Sequence, residues 1–347
     1  MSPFSHGSPV LVIAELSANH RQSRTLAERT IRAIAETGAD AVKLQTYTPD
    51  TITLDCDDAP FQTKENGLWS GRNLHSLYTE AFTPWEWQPG LKRLAESLGL
   101  ACFSSPFDPS AVDFLEAMDV PAYKIASFEI TDIPLIEHCA AKGKPIILST
   151  GIATLADIEA AVDACRRVGN DDIALLKCTS SYPAPVERAN LATIPHLAAT
   201  FGVVAGLSDH TLGIAVPIAA VALGARVIEK HFTLDRSAGG VDAAFSLEPD
   251  EFRQMVEGIR VAERAIGRVD YSMTTEKAKS RRYRRSLFVV EDVKAGEELS
   301  SRNVRSIRPG DGLPPVRFAE LEGRRFVADV SRGTPLSAEL LGPSTRT

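Results

Sequence analysis

No stretch of this chain approaches the roughly 18 to 20 consecutive apolar residues that a membrane-spanning helix needs. The N-terminal MSPFSHGSP also lacks the basic and apolar regions of a secretory signal, so a soluble, cytoplasmic protein without a membrane partner is expected. Cysteine is sparse. The five residues Cys56, Cys102, Cys139, Cys165 and Cys178 contain no CxxC pair, which argues against a disulfide framework and against a structural zinc site. Reduced, mostly buried thiols are the expectation. Positive charge is in deficit as well: the formal net charge is -7, and Lys and Arg are scattered except for one run at Arg281 to Arg285. No nucleic-acid footprint follows from that distribution, and the run, within KSRRYRR, reads as part of a solvated linker.

What is present is an ordinary globular composition, with 44% hydrophobic residues over 347 positions, enough for one large α/β domain and a small one. Apolar runs of strand length alternate with amphipathic stretches from near residue 10 to near residue 267. The strand candidates are VLVIAEL from Val10, AVKLQTY from Ala41, ACFSSPF from Ala101, AYKIAS from Ala122, PIILSTG from Pro145, IALLKCT from Ile173, VVAGLSD from Val203 and VIEKHFT from Val227. Between them lie helical patterns such as TLAERTIRAIAETG and LADIEAAVDACRRVG, several with a Ser, Thr or Asp in capping position. Eight βα units in about 260 residues is the arithmetic of a (β/α)8 TIM barrel. The expected division is a barrel over residues 1–270, a linker over 271–285, and a small β-rich domain over 286–347, where short strand-like runs are broken by KAG and RGTPL turns. A segment that small buries little surface alone and is expected to dock on the barrel of this or another subunit.

Each predicted strand ends in polar residues: Glu15, Gln45, Ser104 and Ser105, Ser127, Ser149, Ser180 and Ser181, Asp209 and His210, and His231. In a parallel barrel the carboxyl ends of the strands share one face, the face that carries active sites. A single serine there can be turn chemistry; the whole set points to a site. The connection from Thr48 to about Thr83, with DCDDAPF, Trp69 and Asn73, is far longer than an ordinary βα loop and is read as a lid or substrate rim.

His210 and His231 close consecutive predicted strands, so their imidazoles can face one cavity and hold a divalent metal with positions open for water and substrate. With two nitrogens and no thiolate, Mn2+ or Mg2+ suits the pair better than zinc. Lys43 and Lys124 lie on buried strands two and four, where an unpaired ammonium is costly. Three readings are open: a Schiff-base lysine, a cradle for phosphate and carboxylate formed with Ser105, Ser127, Ser149 and Ser208, or a structural pair with Glu15 or Glu229.

The ordered motifs IAELSANH, DAVKLQTY, FSSPFD, YKIASFEITDIPLI, STGIAT, GLSDHT and EKHFTLD, followed by RRSL and IRPG, resemble the sialic acid synthase family over nearly the whole chain. Within it, ELSANH, TPDTITLDCD, TPWEW and CFSSPFD look most like the pseudaminic acid synthases. The resemblance implies a barrel followed by an antifreeze-like (SAF) domain in a domain-swapped homodimer. The implied reaction is a metal-dependent condensation of phosphoenolpyruvate with 2,4-diacetamido-2,4,6-trideoxy-L-altrose; N-acetylmannosamine or the legionaminic precursor are the alternative sugars. By motif position His210 and His231 match metal ligands, and Lys43, Lys124, Ser105, Ser127, Ser149 and Ser208 match phosphoenolpyruvate-binding positions. Ser180 of CTSSYP stands where neuraminate enzymes carry Asn, so an amide contact to phosphate is replaced or lost. Glu15, Glu129, Tyr182 and Asp242 match positions near the sugar and the reacting carbons, and Arg308 of IRPG resembles the arginine that the partner's SAF domain sends into the site. An inactive barrel carrying an ice- or carbohydrate-binding module is the remote alternative, which leaves two buried cations without purpose.

Overall fold

The structure is a computed structural model and describes residues 8–63 and 68–343. The ends of the N-terminal stretch MSPFSHGSP and of the C-terminal domain therefore lie in part outside the described residues. The chain divides into two compact units, residues 1–267 and 268–347.

The first unit is a closed barrel of eight parallel strands in sequential order: β1 (Leu11–Glu15), β2 (Ala41–Thr46), β3 (Ala101–Pro106), β4 (Tyr123–Ile125), β5 (Ile146–Ser149), β6 (Ile173–Cys178), β7 (Val204–Asp209) and β8 (Val227–His231). All eight strand candidates are thus realised. The barrel closes where β1 pairs with β8, setting Glu15 opposite His231, while its other edge sets Glu15 opposite Lys43 of β2. Closure requires β7 and β8 to approach closely, and Gly206 allows it: a Cβ there would collide with the Val227 carbonyl and with Leu176.

The surrounding helices follow local chemistry. In the helix Arg24–Glu36, Ser23 caps the N-terminus by accepting from the Leu26 N–H, and Ala27, Thr30, Ile31 and Ile34, at helical spacing, form the buried stripe. One continuous apolar cluster, including Val12, Val42, Leu148, Leu175 and Ile228 from the strands and Phe252, Met255 and Ile259 from the helix Pro249–Ile266, fills the space between barrel wall and helix ring. Fully burying such side chains stabilises by roughly 1.5–3 kcal/mol each.

The second unit has its own core of Leu287, Val289, Val293, Leu299, Val304, Leu321, Phe326, Val330, Leu336 and Leu341 around the antiparallel pair β9 (Ser286–Val289) and β10 (Val304–Ile307). Within the segment read as a linker, a short helix spans Thr275–Ser280 and a 3-10 turn spans Arg281–Tyr283. No helix among the described residues is long and apolar enough to cross a membrane. Four of the five cysteines are buried and all are free.

Candidate active site

At the carboxyl ends of the strands a cavity of about 440 Å³ opens. Eleven of the fourteen candidate residues line it: Glu15, Lys43, Lys124, Ser127, Glu129, Ser149, Tyr182, Ser208, His210, His231 and Asp242. Ser105 and Ser180 are not among the lining residues, and their buried hydroxyls, like that of Ser149, have no hydrogen-bond partner. Ser180, Ser127 and Cys178 crowd Gly151 so closely that a Cβ on that glycine would collide with Ser180 and lie 2.7 Å from the Ser127 hydroxyl. Arg308, followed by a cis peptide to Pro309, belongs to the second unit.

The floor is ionic. Lys43 Nζ lies 3.0 Å from Glu15 Oε2 and 2.9 Å from Glu229 Oε1, and Lys124 Nζ lies 3.5 Å from the same Glu229 oxygen. Lys43 therefore has the carboxylate partners of the structural reading and still faces the cavity. Burial alone would lift the Glu15 pKa, but His231, Lys43 and Lys124, with a hydrogen bond from Gln45, hold its carboxyl well below the usual range. Burial likewise opposes charge on Lys43, and there Glu15 and Glu229 win, raising its pKa. For Lys124 burial wins: Glu229 opposes it, the neighbouring Lys43 adds to it, and the pKa falls. Two lysines sharing carboxylates in this way leave Lys124 short of an anion. Ser208 donates to Glu229 at 3.0 Å, and Gln45 donates to Glu15 at 2.8 Å.

Burial also raises the Glu129 carboxyl to about 7, and its Oε2 is buried with no hydrogen-bond partner. A carboxyl that can carry a proton near neutrality is suited to proton transfer.

The two histidines lie with ring centroids 5.3 Å apart and their planes tilted by 57°. Nδ1 of His210 donates to the Thr179 carbonyl at 3.1 Å, an oxygen that can only accept, so in the neutral ring Nε2 carries the lone pair. On His231, Nδ1 is buried without a hydrogen-bond partner, Nε2 is 3.2 Å from Glu15 Oε2, and Asp242 Oδ2 is 4.0 Å from Nδ1. Among the described residues no cluster of three or more His, Cys, Asp or Glu side chains is arranged to hold a metal. The donor set is two imidazoles beside carboxylates, and the orphaned, buried His231 Nδ1 fits a hard divalent cation that takes its remaining ligands from water and substrate oxygens.

The upper wall comes from the long connection after β2, which carries the helix Leu74–Ala81. Ile52, Leu74, Leu77 and Ala81 reach the cavity, joined by Phe107 from beyond β3. Trp69 donates to the Val241 carbonyl at 2.9 Å and packs 5.4 Å from the Tyr182 ring, which lies 4.5 Å from His210. The residues Lys64 to Gly67 of this connection lie outside the described residues.

Sequence reasoning missed the apolar wall, because nothing local tells which face of a loop helix turns inward. It also missed Cys178, treated as an inert thiol. That residue lines the cavity with Sγ 3.9 Å from His210 Nδ1, and although burial raises its pKa, the contact with His210 brings it down to about 7. Its place at the end of β6 was the available signal.

A sequence profile described as the NeuB family matches residues 30–271, and one described as the SAF domain matches residues 284–342. Over 332 residues the chain is 47% identical to the pseudaminic acid synthase of Helicobacter pylori, covering 95% of this chain and 97% of that protein. Identity to the pseudaminic acid synthase of Campylobacter jejuni serotype O:2 is 45% over 333 residues, covering 96% and 97%. Among solved structures, the N-acetylneuraminic acid synthetase of Leptospira borgpetersenii, in complex with citrate, superimposes with a TM-score of 0.71 at 31% identity, covering 79% of this chain and 90% of that one.

Proposed function

The chain belongs to the NeuB family, and from that premise we propose that it condenses phosphoenolpyruvate with 2,4-diacetamido-2,4,6-trideoxy-L-altrose and water to give pseudaminic acid and inorganic phosphate. The observation that carries the choice of sugar is the near full-length identity of 47% to a pseudaminic acid synthase. The cavity supports it. A sugar whose aldehyde reacts at the floor extends its C6 methyl toward the mouth, where Ile52, Leu74, Leu77 and Phe107 offer an apolar wall. N-Acetylmannosamine would bring hydroxyls at C4 and C6 to the same wall.

Phosphoenolpyruvate adds an anion for Lys124, which shares Glu229 with Lys43, and Lys43 and the hydroxyls of Ser127, Ser149 and Ser208 complete a polar cradle for its carboxylate and phosphate. His210 and His231, with Glu15 and Asp242 beside them, would hold a divalent cation, Mn2+ or Mg2+, which when bound supplies Lewis acidity at the aldehyde oxygen. Carbon 3 of phosphoenolpyruvate then attacks the aldehyde carbon, leaving oxocarbenium character at carbon 2. The former aldehyde oxygen becomes a hydroxyl and phosphate departs by C–O cleavage as the ketone forms, each ending with one proton of the water that adds to carbon 2, the first of which is given up as the water attacks. Glu129, poised near neutral pH, is the group able to take that proton, while Glu15 stays ionised and stabilises positive charge. Tyr182, stacked on His210, positions the sugar. In this reading the protein is a domain-swapped homodimer whose SAF domain carries Arg308 into the partner's site.

Lys124 with a lowered pKa is also what a Schiff-base aldolase would use. Phosphate release from phosphoenolpyruvate, measured with the trideoxy-altrose and with N-acetylmannosamine, each with and without EDTA, separates the readings. EDTA-sensitive release with the first sugar alone is expected. Release with N-acetylmannosamine alone would overturn the substrate, and borohydride trapping of a pyruvate adduct without phosphate release would overturn the chemistry.

A further inference from the structure

Lys230 sits in β8 between Glu229 and His231, and alternation along the strand turns it away from the cavity that both neighbours line. It is fully buried, on the helix side of the barrel wall. A buried ammonium requires acceptors. Lys230 Nζ finds two, Asp209 Oδ2 at 2.5 Å and the Thr211 carbonyl at 2.5 Å, the residues immediately before and after His210. Asp209 in turn accepts from the Thr211 N–H at 3.1 Å and from the Thr211 hydroxyl at 3.0 Å. The three side chains close a ring around the backbone of His210, anchored to the strand that ends in His231.

We propose that Lys230 is a positioning residue that fixes the spacing of the two imidazoles, holding His210 from behind at the end of β7 in register with its own neighbour His231. The inference rests on the reading of that pair as a divalent-metal site and adds a residue to which no role has been given. Stability alone is a poor reason for such a pair, since replacing a buried ion pair by uncharged residues is often neutral. Its geometry has a specific effect. One ammonium touches both sides of His210, so any rotation of the segment 209–211 that would turn the imidazole away must break two bonds to Lys230. The remaining freedom of His210 is removed by Thr179 at Nδ1 and by Ala184, whose N–H donates to the His210 carbonyl at 2.9 Å.

The test uses full-length protein stripped of metal and titrated with Mn2+, with free Mn2+ followed by electron paramagnetic resonance. Asp209→Asn combined with Lys230→Met removes the clamp without leaving an unpaired buried charge. It should weaken Mn2+ binding about 10- to 100-fold, as loss of a supporting contact behind metal ligands does. Its melting temperature should stay close to wild type, and the KM for phosphoenolpyruvate should be unchanged while kcat falls. Asp209→Asn alone, which turns one of the two Lys230 contacts from a charged bond into a neutral one, should weaken Mn2+ about threefold, the scale of one hydrogen bond, and it decides the matter if the double variant does not fold. Mn2+ affinity within error of wild type in the folded double variant, or in Asp209→Asn where only that variant folds, would overturn the positioning role. Absence of Mn2+ binding by the wild type would overturn the metal reading beneath it, a distinguishable result.

Discussion

Glu129 is the residue whose chemistry is most exposed to a simple measurement. Its carboxyl is raised by burial from 4.5 to about 7 in the folded protein. Between those values the native state keeps a proton that the unfolded chain has released, so stability falls as pH rises from 4.5 to 7. Glu129→Gln removes that dependence. Its melting temperature relative to wild type should therefore climb between pH 4.5 and pH 7.5, by the equivalent of about 3 kcal/mol at most. A constant difference across that range would contradict the burial argument. The same variant should lower kcat by roughly 10²- to 10⁴-fold if Glu129 moves the proton, and flatten the pH–rate limb near 7. Residue identities at the floor were legible in the sequence, because charged and hydroxyl groups at the ends of apolar strands have little reason to be there. The partnerships were not, since the sharing of Glu229 by Lys43 and Lys124 depends on which strands face one another across the interior.

At the scale of elements, the proposed choice of sugar rests on the connection after β2. Its length announced a lid, and the helix Leu74–Ala81 with Ile52 provides the apolar wall. An apolar wall cannot strongly reject an added hydroxyl, so the preference for a deoxy sugar expected from this source is on the order of 10²-fold at most. Leu74→Asn should cost the trideoxy-altrose about tenfold or more in kcat/KM and cost N-acetylmannosamine less, narrowing the ratio. Equal losses for both sugars would show that the wall packs the lid without reading the substrate. In sequence this segment reads only as a lid or substrate rim, with no helix assigned in it, because a short helix over a cavity leaves little periodic signal.

For the whole molecule the question is how the second unit serves the first. Arg308 carries the proposed link to the sugar's acylamino group. Arg308→Ala should raise the sugar KM at least about tenfold while leaving the KM for phosphoenolpyruvate unchanged, as loss of one charged hydrogen bond predicts. Co-expression of Arg308→Ala with His231→Ala separates sharing from self-supply. If the arginine crosses to the partner, random mixed dimers restore about a quarter of wild-type activity. If it acts within its own chain, activity stays at background and the domain-swapped arrangement fails.

The eight strands, the helices between them, the polar strand ends and the change of character near residue 286 were determined by the sequence itself, since each depends on residues close together in the chain. Tertiary structure alone decided that Glu15 lies between Lys43 and His231, that Lys230 braces His210 from behind the wall, and that Ser105 and Ser180 stand outside the cavity. The pairing of Glu15 with His231 depends on barrel closure, where the register of β1 with β8 joins distant parts of the chain, and the other contacts depend on the register of neighbouring strands; no local pattern encodes either register.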